Sequence, residues 1–506
     1  MAFISIQFVV FFMTVAVLYY AVPHRFRWGL LLCSGLVFYG SSAPWCLLLL
    51  AAVTVIAYAG GVALERYGEG KTRTGKIILA AAITLLLGIL GGFKYLNFFN
   101  SVISDVAVLA GLKYPAQVLN IILPLGISFY IFQAIAYLVD VYRGTYEAER
   151  HFGIFAVYQS FFPQILAGPI PRPSQLLPQF REEHGLDPDS VAEGLKRMAW
   201  GFFKKAVIAD RAAIIVNAVF DHPHEYSGIY LILAMLLFTL QIYCDFSGYS
   251  DIAIGAGRVL GFRLMENFRR PYMSMSMTEF WRRWHISLST WFRDYLYIPL
   301  GGNRVRPVRR QLNLLITFLM SGLWHGAGWN FIVWGALHGL FIVIGIWTAR
   351  ERDVAARVLG LKRFPALHDR CRQAVTFLLA AFAWIFFRAN SLGDAVYIVT
   401  HLGSGVGSLI ANIVAGNRAA VRAATDISRN GMTLGFAKES YNPEMLILVV
   451  AILVLWLVDA VEERSGNAPV VSSKPSLVRL GLYYLLVCCI IFFGMFSSQQ
   501  FIYFRF

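Results

Sequence analysis

Two histidines stand out in this 506-residue chain because of what surrounds them. His325 lies in SGLWHGAGWN, residues 321–330, with Gly322, Gly326 and Gly328 close by in an otherwise apolar stretch. Glycines let backbone or ligand approach closely and weaken a helix. An imidazole with an unperturbed pKa of about 6.5 is a natural general base at neutral pH, and an ionisable group at membrane depth is a functional hypothesis by default. On the residues alone, a hydrogen-bonded core histidine is an equally good reading. His285 lies in WRRWHISLSTWFRDYLYIPLGGNR, residues 281–304, among Trp281, Trp284, Trp291 and several arginines. That mixture suits a segment anchored at a membrane interface, and its guanidinium groups could also pair with phosphate oxygens. A third cluster, QIYCDFSGYSDIAIG (241–255), places Asp245 and Asp251 in a region otherwise fit to span a membrane. Such carboxylates face a cavity or a partner, and Arg388 in WIFFRAN is one candidate partner. His338 follows His325 by thirteen positions, off the i+3/i+4 ladder, so no metal site shared by the two is expected. No Walker A, dinucleotide or HExxH motif is present.

The elements that position these residues must be membrane helices. The chain is 58% hydrophobic and 15% aromatic, and only 14% charged, against roughly 25% charged in an average soluble domain. Disorder is excluded by the same hydrophobicity. Apolar runs extend nearly end to end, which implies one membrane domain, residues 1–506, with its catalytic region at about 240–350. Candidate spans are 3–22, 28–40, 45–64, 77–97, 118–140, 154–169, 228–244, 246–262, 312–323, 329–348, 373–390, 444–461 and 477–496. At about 20 residues per span, 9 to 12 are expected to cross. The short ones read as broken or re-entrant. The first run reads as a retained span rather than a signal peptide. Residues 191–219 mix charged and apolar residues as an interfacial amphipathic helix would, and 393–435 is expected outside the membrane. The six cysteines form no CxxC pair and read as buried thiols without a disulfide framework.

Charge sets the orientation. The chain carries 44 basic and 29 acidic residues, a net of +15. In a soluble protein that excess would point to nucleic acid; here it points to basic cytoplasmic loops. Arg25 and Arg27, then Arg66, Lys71, Arg73 and Lys76, then Arg143 and Arg150 alternate with turns carrying no basic residue or only Lys113. This puts the N-terminus outside, with Lys94 near the outer end of its span as a mild exception. Residues 258–310 carry a net +8 and residues 350–372 a net +4. They flank the 312–348 hairpin that holds His325, and both flanks belong in the cytoplasm.

The segments WRRWHISLSTWFRDYLYIPLGGNR and SGLWHGAGWNFIVWGALHG resemble the signature regions of the membrane-bound O-acyltransferase family, in particular its bacterial alginate and polysaccharide O-acetyltransferase branch. LPLGISFYIFQAIAYLVDVYRG (123–144), FFPQILAGPIPRPSQLLPQF (161–180), YCDFSGYSDIAIG with GFRLMENFRRPY (243–272) and the closing FIYFRF (501–506) are similar to the same branch. The resemblance covers most of 1–390 and resumes at the C-terminus; residues 400–475 are not matched. It implies an all-α disc of many helices, thin at its centre, with a tunnel joining the two faces. It implies an active-site histidine at His325 and an assisting polar residue at His285, where other branches often carry Asn.

On this resemblance, the expected reaction moves an acetyl group from a cytoplasmic thioester, most simply acetyl-CoA, to a hydroxyl reached from the other side. His325 would take the hydroxyl proton, and His285 would orient the donor or hydrogen-bond a reacting group. Arginines of 258–310 would attract the CoA phosphates. Trp324, Arg293, Asp251 and Asn330 are the candidate substrate-contacting residues. No bound cofactor, metal or nucleic acid is expected. The partners expected are the lipid bilayer of a bacterial inner membrane and periplasmic acetyltransferase or polysaccharide-assembly proteins. Two other readings stay open at this level: a D-alanyl transferase of the teichoic-acid type fed by a carrier protein, and a transporter, which broken helices and intramembrane aspartates also suit.

Overall fold

The computed structural model describes residues 1, 3–41, 43–68, 72–112, 114, 119, 123–226, 228–417, 443–466, 475–496 and 501–502. The basic residue Lys71, the loop residue Lys113, all of 418–442 and the last four residues of FIYFRF lie outside the described residues. Every regular element among the described residues is helical. The first five helices are α1 (Ile6–Ala21), α2 (His24–Gly40), α3 (Cys46–Tyr67), α4 (Arg73–Leu90) and α5 (Leu96–Leu109). Caps start them: Ser5 accepts from the Phe8 N–H at α1, and Thr72 accepts from the Gly75 N–H at α4. Between α4 and α5 the chain widens into a π-helical turn, Gly91–Tyr95.

The helix α6 (Ile127–Arg143) is bounded by Gly126 and Gly144, both at positive φ, and is buried almost all round. A helix surrounded by protein on nearly every side lies at the centre of the molecule. Then follow α7 (Phe152–Ser160), the single turn α8 (Pro173–Leu176), α9 (Pro188–Phe202), α10 (Asp210–Asp221), α11 (Gly228–Val259), α12 (Met277–Arg283) and α13 (Ile286–Phe292). The chain continues as α14 (Pro307–His325), α15 (Trp329–Trp347), α16 (Ala349–Val358), α17 (Pro365–Arg388), α18 (Leu392–His401), α19 (Val406–Val414), α20 (Pro443–Arg464) and α21 (Ser476–Phe493).

Among the described residues, eight helical stretches are long and apolar enough to cross a membrane, and α1 is a shorter apolar helix. Their outward faces carry large apolar side chains such as Ile6, Val17, Leu477 and Phe492, which a bilayer covers at no cost. The expected spans 228–244 and 246–262 are in fact one 32-residue helix, α11; Asp245 does not break it because the carboxylate is buried against a partner. The candidate span 154–169 is only the nine-residue α7 followed by turns. Residues 392–414, expected outside the membrane, form α18 and α19 and count among the eight apolar stretches. Cys46 and Cys244 are buried, but Cys33, Cys371 and Cys488 are exposed, and all six are free thiols. An apolar run in such a protein can face lipid as readily as core.

The stretch expected at the interface, 191–219, is instead packed deep against α11. Gly194 and Gly201 on α9 meet Gly255 and Gly248 on α11 so closely that a Cβ at Gly194 would sit 2.7 Å from the Gly255 carbonyl oxygen, and one at Gly201 2.6 Å from that of Gly248. Small residues at this spacing let two helix backbones touch. Most of the charges of 191–219 are paired internally. Arg197 binds Asp251 and Glu266, and Lys204 binds Asp251 at 2.5 Å. Lys205 bridges Asp210 and Asp245, both at 2.7 Å, and Asp245 also accepts the Ile502 N–H. Arg388 is not the partner of either aspartate; it binds Asp221 at 3.0 Å and Asn217 at 2.8 Å. The lysines of the neighbouring helix turn reach the aspartates first.

Candidate active site

The arm that presents His325 is a helical hairpin. Pro307 starts α14 with its fixed φ. Its 19 residues, at about 1.5 Å each, carry His325 to the end remote from Arg306, Arg309 and Arg310. A Cβ added to Gly322 would strike the Phe331 carbonyl oxygen, and one on Gly335 the Phe318 carbonyl oxygen. The seam between α14 and α15 is thus backbone against backbone. It seats the His325 ring among Trp324 (centroids 4.9 Å apart), Trp334 (4.9 Å) and Phe387 (5.3 Å), each edge-on. His325 is 3% exposed.

His285 approaches from the basic segment. It stands at φ +42, a left-handed conformation that a non-glycine residue adopts at a cost. Asn267 holds it there. The Asn267 carbonyl oxygen accepts the Ile286 N–H at 2.9 Å, and its side-chain oxygen accepts from the Ser287 N–H and Oγ. Its amide donates to Ser250 of α11. The Arg269 N–H donates to the Arg283 carbonyl oxygen, closing the loop between them. The His285 ring is fully buried, edge-on to Phe246 at 4.6 Å. Its centroid lies 6.3 Å from that of His325. Two imidazoles at this separation can both touch one small reacting group, one as base and one as hydrogen-bonding partner. The surrounding aromatic rings exclude water.

A cleft reaches His325, lined by Lys94, Leu125, Ser128, Phe129, Trp324 and His325 itself. It opens where α14 ends, opposite the arginine flank. Of the residues expected to contact substrate, Trp324 lies in the site, 6.1 Å from His285 and edge-on to Phe129. Arg293 does not; its side chain is mostly exposed and paired with Asp294. Asp251 is engaged by Arg197 and Lys204. Asn330 ties the start of α15 to the end of α17, donating to the Ala389 carbonyl oxygen at 3.1 Å. His338 accepts from Trp281 Nε1 at 3.2 Å and backs the Trp334 ring. Sequence reasoning missed Lys94, Tyr95 and Asn267. A cation inside a span was a visible signal at Lys94; Asn267 gives none, since nothing in GFRLMENFRRPY shows which polar residue turns inward.

Residues 151–352 match the membrane-bound O-acyltransferase family. The chain is 43% identical over 394 residues to a Pseudomonas aeruginosa protein named "Probable alginate O-acetylase AlgI", covering 78% of this chain and 73% of that one. The chain belongs to the membrane-bound O-acyltransferase family. It is a multi-pass membrane acyltransferase, which closes the transporter reading. It is also 34% identical over 424 residues to the peptidoglycan O-acetyltransferase of Helicobacter pylori, covering 79% of this chain and 77% of the relative. A teichoic acid D-alanyltransferase of Streptococcus thermophilus is 29% identical over 261 residues, 48% of this chain and 62% of the relative. The family match spans both histidines and ends just past the hairpin.

Proposed function

We propose that the protein is an O-acetyltransferase of the bacterial inner membrane that takes an acetyl group from acetyl-CoA on the cytoplasmic face and passes it toward the hydroxyls of an exopolysaccharide such as alginate. The observation that carries this reading is the buried His325–His285 pair, 6.3 Å apart, with a cleft on one side and an arginine-rich segment on the other. The higher identity to the alginate O-acetylase than to the D-alanyltransferase favours acetyl over D-alanyl. The donor arrives along the basic side, where guanidinium groups attract phosphates. The acceptor hydroxyl enters by the cleft. His325 accepts its proton as the oxygen attacks the thioester carbonyl, the C–S bond breaks, and CoA leaves as the thiol after taking up the proton. His285 hydrogen-bonds the thioester. The acetyl group then reaches the polymer directly or through a periplasmic acetyltransferase.

The full-length protein in proteoliposomes tests this. Radiolabelled acetyl-CoA supplied on the face carrying Arg304–Arg310 is expected to label an alginate oligosaccharide, or a periplasmic acetyltransferase, on the opposite face. Label that moves only from a D-alanyl carrier protein, or only when donor and acceptor share one face, would contradict it.

A further inference from the structure

The helix that ends on His325 needs partners for its last carbonyls. The final turn of any helix leaves four C=O groups without intrahelical donors, and in a membrane no water relieves them. At α14 the cap residue Gly326 returns its N–H to Gly322. The next three carbonyls, of Leu323, Trp324 and His325, are met from a segment some 230 residues away. The Tyr95 hydroxyl donates to the Leu323 carbonyl oxygen at 2.7 Å. Lys94 Nζ donates to the Trp324 carbonyl oxygen at 2.7 Å and to that of His325 at 3.0 Å. Its third neighbour is Ser128 Oγ at 3.5 Å, on the wall of the cleft.

Both donors come from one irregular element. Gly91–Tyr95 is a π-helical turn in the middle of a 37-residue apolar stretch. Such single turns recur at functional sites. The wider turn sets Lys94 and Tyr95 against α14 together. A positive charge at the carboxyl end of a helix is also favourable to its dipole. A lysine within a span is costly unless it has work there, and here its three hydrogen bonds all go to residues that line the cleft. A lysine serving only as an interfacial anchor would reach toward headgroups instead.

We propose that the 91–95 turn is the positioning element of the active site: Lys94 and Tyr95 cap α14 and so fix the orientation of the His325 imidazole toward His285 and the cleft. Both act through the main chain of α14 and are positioning residues. The proposal rests on the reading of His325 as the base, and the experiment separates the two.

Acetyl transfer from acetyl-CoA to an alginate oligosaccharide is measured with the full chain in proteoliposomes for Lys94→Met, Lys94→Arg, Tyr95→Phe and His325→Ala, each checked for folding by its thermal unfolding. Misplacing a catalytic group by about 1 Å costs on the order of 10²-fold in rate, so Lys94→Met is expected to lower kcat by about that factor. The KM for acetyl-CoA should stay within about twofold, since only a transition-state interaction is lost. Lys94→Arg, which keeps a cation with several donors, should recover most of the rate, and Tyr95→Phe should lose several-fold in kcat alone. A folded Lys94→Met protein with wild-type kcat, or one whose loss lies in KM, would overturn the proposal while the inactive His325→Ala left the base assignment standing. Should Lys94→Met not fold, Tyr95→Phe decides by the same split. Wild-type transfer by His325→Ala would remove the base assignment and this inference with it.

Discussion

At the scale of single residues, the proposed site is a pair of imidazoles held by unequal means. His325 is held by packing: three aromatic edges surround it, and its backbone is tied from outside its helix. His285 is held against strain: its left-handed backbone costs on the order of 1–3 kcal/mol and persists through the hydrogen bonds of Asn267. Replacing Asn267 with Ala should therefore act twice. It removes hydrogen bonds from buried groups at about 1–3 kcal/mol, and it frees His285 to relax out of the site. The expected result is a lowered unfolding midpoint together with a fall in kcat larger than that of a control such as Ser274→Ala. A variant that loses stability yet keeps full kcat would show that the His285 backbone does not need this support. A smaller effect is expected at His285 itself: His285→Asn keeps a hydrogen-bonding side chain and should retain part of the activity that His285→Ala loses.

At the scale of elements, the hairpin α14–α15 and the pair α9–α11 do the positioning, and glycine writes both. Replacing Gly322 with Ala puts a methyl on the Phe331 carbonyl, and overpacking of this kind costs about 1–3 kcal/mol. The stability loss should come with loss of transfer, because the hairpin seam carries His325; unchanged activity in Gly322→Ala would mean that the seam can open without moving the imidazole. The buried cations of 203–211 make a different prediction. Lys205→Met leaves Asp210 and Asp245 facing each other without a counter-charge, and breaking a buried pair by removing one partner costs about 3–5 kcal/mol. Thermal unfolding should show that loss, and Lys205→Met combined with Asp245→Asn should recover part of it; equal melting of the single and double variants would argue against the charge pairing.

These elements also show how far sequence carries. The apolar runs, the hairpin and the two histidines were legible because hydrophobic length and interrupting charges are local signals. The packing of 191–219 was not. Its alternation of charged and apolar residues is what an interfacial helix and a doubly paired buried helix share. Only the tertiary partners, Asp245 and Asp251 on α11, decide between them. In the same way α11 was divided in two because Asp245 looked like a break, when the carboxylate is neutralised by Lys205. Lys94 was read as an exception to the charge rule, and the structure shows it donating to the last carbonyls of α14.

At the scale of the whole molecule, the distribution of charge joins topology to chemistry. Twelve of the fifteen excess positive charges flank the His325 hairpin, and Arg304, Arg306, Arg309 and Arg310 stand at the base of α14, while Lys94 and the cleft stand at its tip. The orientation expected from the loops puts the base in the cytoplasm and the cleft outside. Cysteine labelling checks it. In a chain whose own cysteines are replaced by serine, Ser101→Cys should react with an impermeant maleimide in whole cells, and Lys362→Cys only after the cells are opened. The reverse pattern would invert the donor and acceptor faces.

The most direct test of the central claim is the rate of acetyl transfer by His325→Ala protein that folds as the wild type does. General-base catalysis is worth roughly 10²–10⁴-fold, so transfer from acetyl-CoA should fall by at least about the lower figure while acetyl-CoA binding is retained. A folded His325→Ala protein that transfers acetyl at the wild-type rate would contradict the account.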